Sequence, residues 1–460
     1  MREQHPETGV PRMAAPNRAD RSAGGMVKRS GAPTNPLDGV RHVPGGRASR
    51  ERLGFFFLLL LVYLFFEYGR PPNPLGIPML ISILSLGGWL VRRDKRWTTQ
   101  ITGFLIFVVV MAVGIPIAAN AYSAFWTTYG MAVLLLCICA PLPSLITSVR
   151  RIKIWTYTFV AVAVYVGGYA IFHEGFGPSG SAGGQDENYV AAMMGMAIPF
   201  AYFSIFTERR RGGKVLLALS TVVFSGAIIV GFSRGGFLGF CAVVLYCLAR
   251  SPKKLLGLGV VAVIGLTVLV FAGHVGHSAR QDRLGTYWQA ITTIGDIDEG
   301  TADLRIEVWK IGMRMWQAHP LFGGGPGSFR WMVGEYQSPD QLAKYGRNLG
   351  GSIIAHSLFV ELLAELGIVG AGVLLALLWY TWRDLRRVHQ GAARLSRART
   401  VVGDVERLRC YSDAVICSIL ACLVNGAFLS LLYYSYLWLL IALGSAITQV
   451  FRSQVVAQPV

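Results

Sequence analysis

Apolar residues in this chain gather into blocks, and polar residues fall into the gaps between them. Twelve blocks stand out: 54–67, 75–91, 101–119, 129–147, 154–172, 189–206, 215–232, 236–249, 255–273, 357–382, 413–429 and 432–450. A helix needs about 17–25 predominantly apolar residues to cross the hydrocarbon core of a bilayer, where its backbone groups must bond to one another. Blocks 54–67 and 236–249 are shorter than this. They are expected to extend into their flanks or to cross a thinner part of the bundle. The pattern predicts an all-α polytopic membrane protein of about twelve transmembrane helices, with no internal repeat of fixed period.

The gaps orient the blocks. Arg92, Arg93, Lys95 and Arg96 fill gap 92–100; Arg150, Arg151 and Lys153 fill 148–153; Arg209, Arg210, Arg211 and Lys214 fill 207–214; Arg250, Lys253 and Lys254 fill 250–254; and 383–412 holds eight Arg. The alternate gaps are poor in base: 120–128 and 430–431 carry no charge, and 173–188 has Glu174, Asp186 and Glu187 but no Lys or Arg. Positively charged loops stay on the cytoplasmic side. Both termini and the basic gaps are therefore expected in the cytoplasm, and the segment 274–354 outside it. This gives a disordered basic tail at 1–53, an N-terminal bundle of about nine spans at 54–273, one large, mostly helical periplasmic or extracellular loop at 274–354, C-terminal helices at 355–450 and a short cytoplasmic tail at 451–460. The tail at 1–53 has no apolar run followed by a cleavage site, so the first span is expected to act as an uncleaved anchor.

Mean hydropathy of +0.47 agrees with a membrane protein. The net charge of +18 is spread over short loops, so it reads as topology and no nucleic-acid partner is expected. The seven Cys all lie in spans or basic gaps, so no disulfide is expected. Few spans carry charge in their middles, which disfavours an ion-coupled transporter.

The candidate chemistry lies in and around the large loop. Residues 305–316, with Ile306, Trp309, Ile311, Met313 and Trp316 among charges, predict an amphipathic helix lying on the membrane surface. Pro320 ends it. Gly323, Gly324, Gly325, Pro326 and Gly327 predict a tight turn whose N–H groups could approach a ligand, or simply a turn. No Lys-Ser/Thr follows, so this is not a nucleotide-binding P-loop. Segment 355–370, AHSLFVELLAELGIVG, leads into a span. Glu361 and Glu365 share a helix face there and read most simply as helix-surface acids. His356 would sit roughly 140° from Glu361 on a continuous helix, so it is expected to precede the helix. Ser233 and Arg234 occupy a very short outer turn, where Arg either snorkels to headgroups or reaches phosphate oxygens. Asp296-Ile297-Asp298 could hold a metal and a nucleotide-sugar diphosphate, but reads more simply as a solvated acidic turn.

Taken together, DENYVAAMMGMAIPF at 186–200, SRGG at 233–236, Arg305 followed by Trp309, HPLFGGGPGSF at 319–329 and HSLFVELLAELGIVG at 356–370 resemble the O-antigen ligase and polymerase superfamily of bacterial envelope glycosyltransferases. One departure is that Ser357 follows His356 where the family often has Asn. The resemblance implies transfer of a glycan from undecaprenyl diphosphate to an acceptor hydroxyl at the outer face of the cytoplasmic membrane. It implies His356 as general base, Arg234 and Arg305 as diphosphate ligands, no cofactor and no metal. Asp186, Asn188, Gly325 and Glu361 are candidates for a sugar or acceptor cleft. The implied partners are the lipid-linked glycan, a lipid or polysaccharide acceptor and membrane lipid. A repeat-unit polymerase and a glycolipid transporter or flippase remain as alternatives.

Overall fold

A computed structural model of the chain describes residues 53–456, except 74–75, 180–185, single positions from 252 to 264, 267–299, 347, 352 and 398–403. The block 255–273 therefore falls mostly outside the described residues, as do the tail 1–52 and the Asp296/Asp298 pair. The described residues are helical with no strand. In chain order the helices are α1 (Phe55–Gly69), α2 (Ile77–Val91), α3 (Thr99–Gly114), α4 (Ala121–Val133), α5 (Leu142–Leu145), α6 (Val149–Phe172), α7 (Glu187–Thr207), α8 (Arg211–Val230), α9 (Arg234–Arg250), α10 (Gly300–Ala318), α11 (Phe329–Met332), α12 (Pro339–Tyr345), α13 (Leu358–Arg397), α14 (Asp404–Gly426) and α15 (Ser435–Val456).

Among the described residues, eight helical stretches are long and apolar enough to cross a membrane. α1 and α2 are apolar but have only 15 residues each, and α9 has 17. Both short blocks do extend into their flanks: 54–67 becomes 55–69, and 236–249 becomes 234–250. Side chains that compete with the backbone mark the starts of several helices. Thr98 caps α3, Asn120 caps α4, Ser148 caps α6, Asp186 caps α7 and Ser233 caps α9, each accepting from a first-turn N–H.

α7 is the central helix, packed on α6, α8, α9 and α14, and nearly every residue along it is buried. Close approach is bought with small residues: a Cβ on Gly239 of α9 would lie 2.1 Å from Asn425 Nδ2 of α14. One continuous apolar core runs through the bundle, and a second, smaller one lies in the lobe formed by α10 to α12. α10 packs one face into this lobe. It turns Val308, Ile311 and Met315 inward against Phe329, Met332 and Ala364, because that face, with i, i+3, i+7 spacing, meets α11 and α13.

The alternating gaps separate to opposite ends of the bundle. At one end Arg96 N–H donates to Ser144 Oγ, Lys153 pairs with Glu208, Arg250 pairs with Asp413, and Gln100 donates to Asp384. At the other end the base-poor gaps meet. Ser123 Oγ donates to the Gly327 carbonyl, Ser233 Oγ to Asn188 Oδ1, and Tyr189 Oη to the Ser430 carbonyl.

Candidate functional site

The site lies at the base-poor end, where two helix N-termini converge. Asp186 begins α7, its carboxylate accepting from the N–H groups of Asn188 and Tyr189 at 3.1 Å each. Ser233 begins α9, its hydroxyl accepting from Gly236 N–H at 3.0 Å and donating to Asn188 Oδ1 at 2.8 Å. This latch ties the two starts together and places Arg234 beside Asn188. Phe232, just before it, has φ +48°, a left-handed conformation unusual for a bulky side chain.

The other half comes from the lobe and the start of α13. His356 precedes α13, as its spacing from Glu361 requires, and has φ +46°. That conformation typically costs about 1–3 kcal/mol and persists only where neighbours enforce it. Trp309 Nε1 donates to the Ala355 carbonyl at 3.1 Å, and Ser357 is buried with its carbonyl accepting from Glu361 N–H. Arg305 lies one helical turn before Trp309 on α10, so one aromatic hydrogen bond sets the height of Arg305 and His356 together.

The charged groups feel one another. Burial lowers the pKa of the Arg305 guanidinium, and the Arg234 charge lowers it further, with Asp186 and Glu187 opposing. Burial also lowers the pKa of the His356 imidazole, followed by the Arg305 charge, with Asp186 opposing. Arg234, Arg305, His356, Asp186 and Asn188 thus belong to one cluster drawn from three separated stretches of chain. Two cations held close, next to two helix starts, form a setting that favours an anion.

Gly325 and Glu361 fall elsewhere. Gly367 has φ +60° and ψ −161°, which interrupts α13. The backbone groups released at that break are taken up by the glycine turn. Gly324 and Gly325 N–H donate to the Ala364 and Glu365 carbonyls at 2.8 and 3.0 Å, while Ile368 and Val369 N–H donate to the Pro320 and Leu321 carbonyls at 2.9 and 3.1 Å. The turn's donors are therefore engaged by a helix rather than turned to a ligand. Cβ atoms on Gly323 and Gly325 would lie 2.2 Å from Glu365 backbone and 2.5 Å from Ala118 Cβ.

The two acids are not on the helix surface. Glu365 is 2% exposed, and its carboxylate accepts from Gly327 N–H (2.6 Å), Phe329 N–H (2.8 Å) and Tyr433 Oη (2.5 Å). Glu361 is 9% exposed, near the Leu432 backbone, with Oε2 lacking a hydrogen-bond partner. Both face inward because the apolar run around them packs against α14 and the 427–434 loop. Sequence reasoning missed the Glu365–Tyr433 clip and the Ser233–Asn188 latch. The signal for the first was two carboxylates inside an otherwise apolar run.

No curated protein matches the chain. Residues 219–376, about a third of the chain, match the family model described as O-antigen ligase, a segment that holds Arg234, Arg305, the glycine turn, His356 and both acids but not Asp186 or Asn188. Over that segment the chain is similar to the O-antigen ligase family.

Proposed function

We propose that the protein is an O-antigen ligase-type glycosyltransferase of the bacterial inner membrane, moving a glycan from undecaprenyl diphosphate to an acceptor hydroxyl. The observation that carries this reading is the convergence of Arg234, Arg305 and His356 from three separated segments at one end of the bundle. By the positive-inside rule that end faces away from the cytoplasm, where lipid-linked glycans are presented.

In the proposed reaction the acceptor oxygen attacks the anomeric carbon of the first sugar. The bond from that carbon to the diphosphate oxygen breaks, and the electron pair leaves with undecaprenyl diphosphate. Arg234 and Arg305 stabilise the charge that develops on this leaving group. His356 takes the acceptor's proton, and its lowered pKa keeps it neutral and able to do so near pH 7. Asp186 and Asn188 line the approach to the two arginines. Glu361 and Gly325 support the site from behind rather than touching substrate. The reading needs no metal or cofactor.

The test is the glycan profile of a strain lacking the protein, complemented with wild type or with His356→Ala. A ligase leaves long polymer on undecaprenyl diphosphate when His356 is lost. Acceptors carrying only a single repeat unit would instead make the protein a polymerase. Restoration of the normal profile by both His356→Ala and Arg305→Ala would point to a transporter and overturn the enzymatic reading.

A further inference from the structure

A cavity of about 420 Å³ lies far from the site, between α6 and α8, and is almost wholly apolar. Val160, Ala161 and Val164 of α6 and Leu216, Leu219 and Val223 of α8 line it. Leu216 and Leu219 are 68% and 54% exposed, so the groove opens sideways, where lipid surrounds the helices. It runs from the middle of the bundle to the basic end, where Tyr157 and Gly213 form its mouth.

The mouth is strongly cationic. Arg209, Arg210 and Arg211 are exposed there, and Lys214 is half-buried one turn into α8. The one acid among them, Glu208, is already engaged by Lys153 and Tyr157 at 2.7 and 2.6 Å. Gly213 keeps the entrance narrow-walled, since a Cβ there would lie 2.8 Å from Glu208 Cγ. An apolar slot open to lipid, ending under a patch of like charge, fits one chemistry: an acyl chain joined to an anionic headgroup.

We infer that the α6–α8 groove is a binding site for an anionic two-chain phospholipid. One acyl chain lies along Val160, Ala161 and Val164, and the phosphate lies against Arg211 and Lys214. This site is separate from the candidate glycan-transfer site and does not rest on that reading.

Native mass spectrometry of the full chain tests it, after extraction from nanodiscs holding equal phosphatidylglycerol and phosphatidylcholine. The wild type should retain phosphatidylglycerol preferentially. The double variant Arg211→Gln/Lys214→Gln should lose that preference by roughly thirty-fold, as expected for two surface cations at a lipid headgroup. Ala161→Trp, which fills the slot from its open side, should reduce retention with the cations intact. Equal retention of both lipids by the wild type, or an unchanged Ala161→Trp, would overturn the assignment. Displacement of the bound lipid by added undecaprenyl phosphate would assign the groove to the polyprenyl tail instead.

Discussion

The two ends of the bundle use charge in opposite ways. At the basic end, cations meet carboxylates. Lys153 pairs with Glu208 at 2.7 Å, Arg250 with Asp413 at 3.1 Å, Arg383 with Asp384 at 3.0 Å, and His389 also reaches Asp413 at 3.0 Å. Burial pulls the Glu208 carboxyl up, but Lys153 and Tyr157 outweigh it and hold its pKa at about 2. At the other end the charge that acts most strongly on Arg305 is another cation, Arg234. Asp186 and Glu187 oppose that effect. The basic end ties loops to helices by ion pairs; the site end ties its segments largely by backbone and hydroxyl hydrogen bonds.

The sharpest test of that contrast is chemical. His356→Ala should lower single-turnover transfer by about 10²–10⁴-fold with donor binding retained, since it removes proton transfer alone. Arg305→Ala should lower transfer by about 10²–10³-fold and weaken donor binding as well. Both are read with a purified lipid-linked donor under matched protein loading. If His356→Ala lost donor binding as severely as Arg305→Ala, the division between base and diphosphate ligand would not hold.

Next comes the scaffold of the site. Glu365→Ala strands two backbone N–H groups and the Tyr433 hydroxyl in a buried setting, costing about 3 kcal/mol or more. Thermal unfolding in detergent should show this loss, and Glu365→Gln, which keeps one acceptor oxygen, should recover part of it. At the opposite end Arg250→Ala removes an ion pair whose Arg side chain is 38% exposed. With solvent screening, the expected cost is about 1 kcal/mol or less. Transfer per folded molecule should stay at wild-type level. Lost transfer in a fully folded Arg250→Ala protein would mean that the two ends are coupled.

How far the sequence led follows from the same contrast. Lys and Arg in alternate gaps mark which helix ends lie together, because hydropathy and charge bias act locally. Arg234, Arg305 and His356 were legible as candidates, and their convergence was implied by a family likeness rather than by spacing. The use of the glycine turn was not legible. Its donors face a break in α13 at Gly367, some forty residues further along the chain, and a Gly inside an apolar run carries no sign of which segment will satisfy the freed carbonyls. The burial of Glu361 and Glu365 was misread for a related reason. Their i, i+4 spacing says only that they share a face, and the partner that turned the face inward is the 427–434 loop.

The smallest effect is the most diagnostic of the cluster's electrostatics. His356 has a pKa lowered by burial and by Arg305. A general base must be neutral, so transfer should rise with pH through a midpoint below the ordinary histidine value of about 6.5 and be flat near pH 7. Linkage has the same sign: burial disfavours the protonated ring, so stability from this group is lost as pH falls from the unfolded midpoint through the folded one. Arg305→Gln removes the nearest charge that lowers the midpoint while Asp186 still opposes, so the residual activity should show its acid limb at higher pH. Asp186→Asn should move it the other way, though that variant also alters the α7 cap. A pH–rate profile of wild type and Arg305→Gln at saturating donor reads this directly. Coincident limbs would mean that Arg305 and His356 do not share one electrostatic site, and the convergence on which the functional reading depends would fail with it.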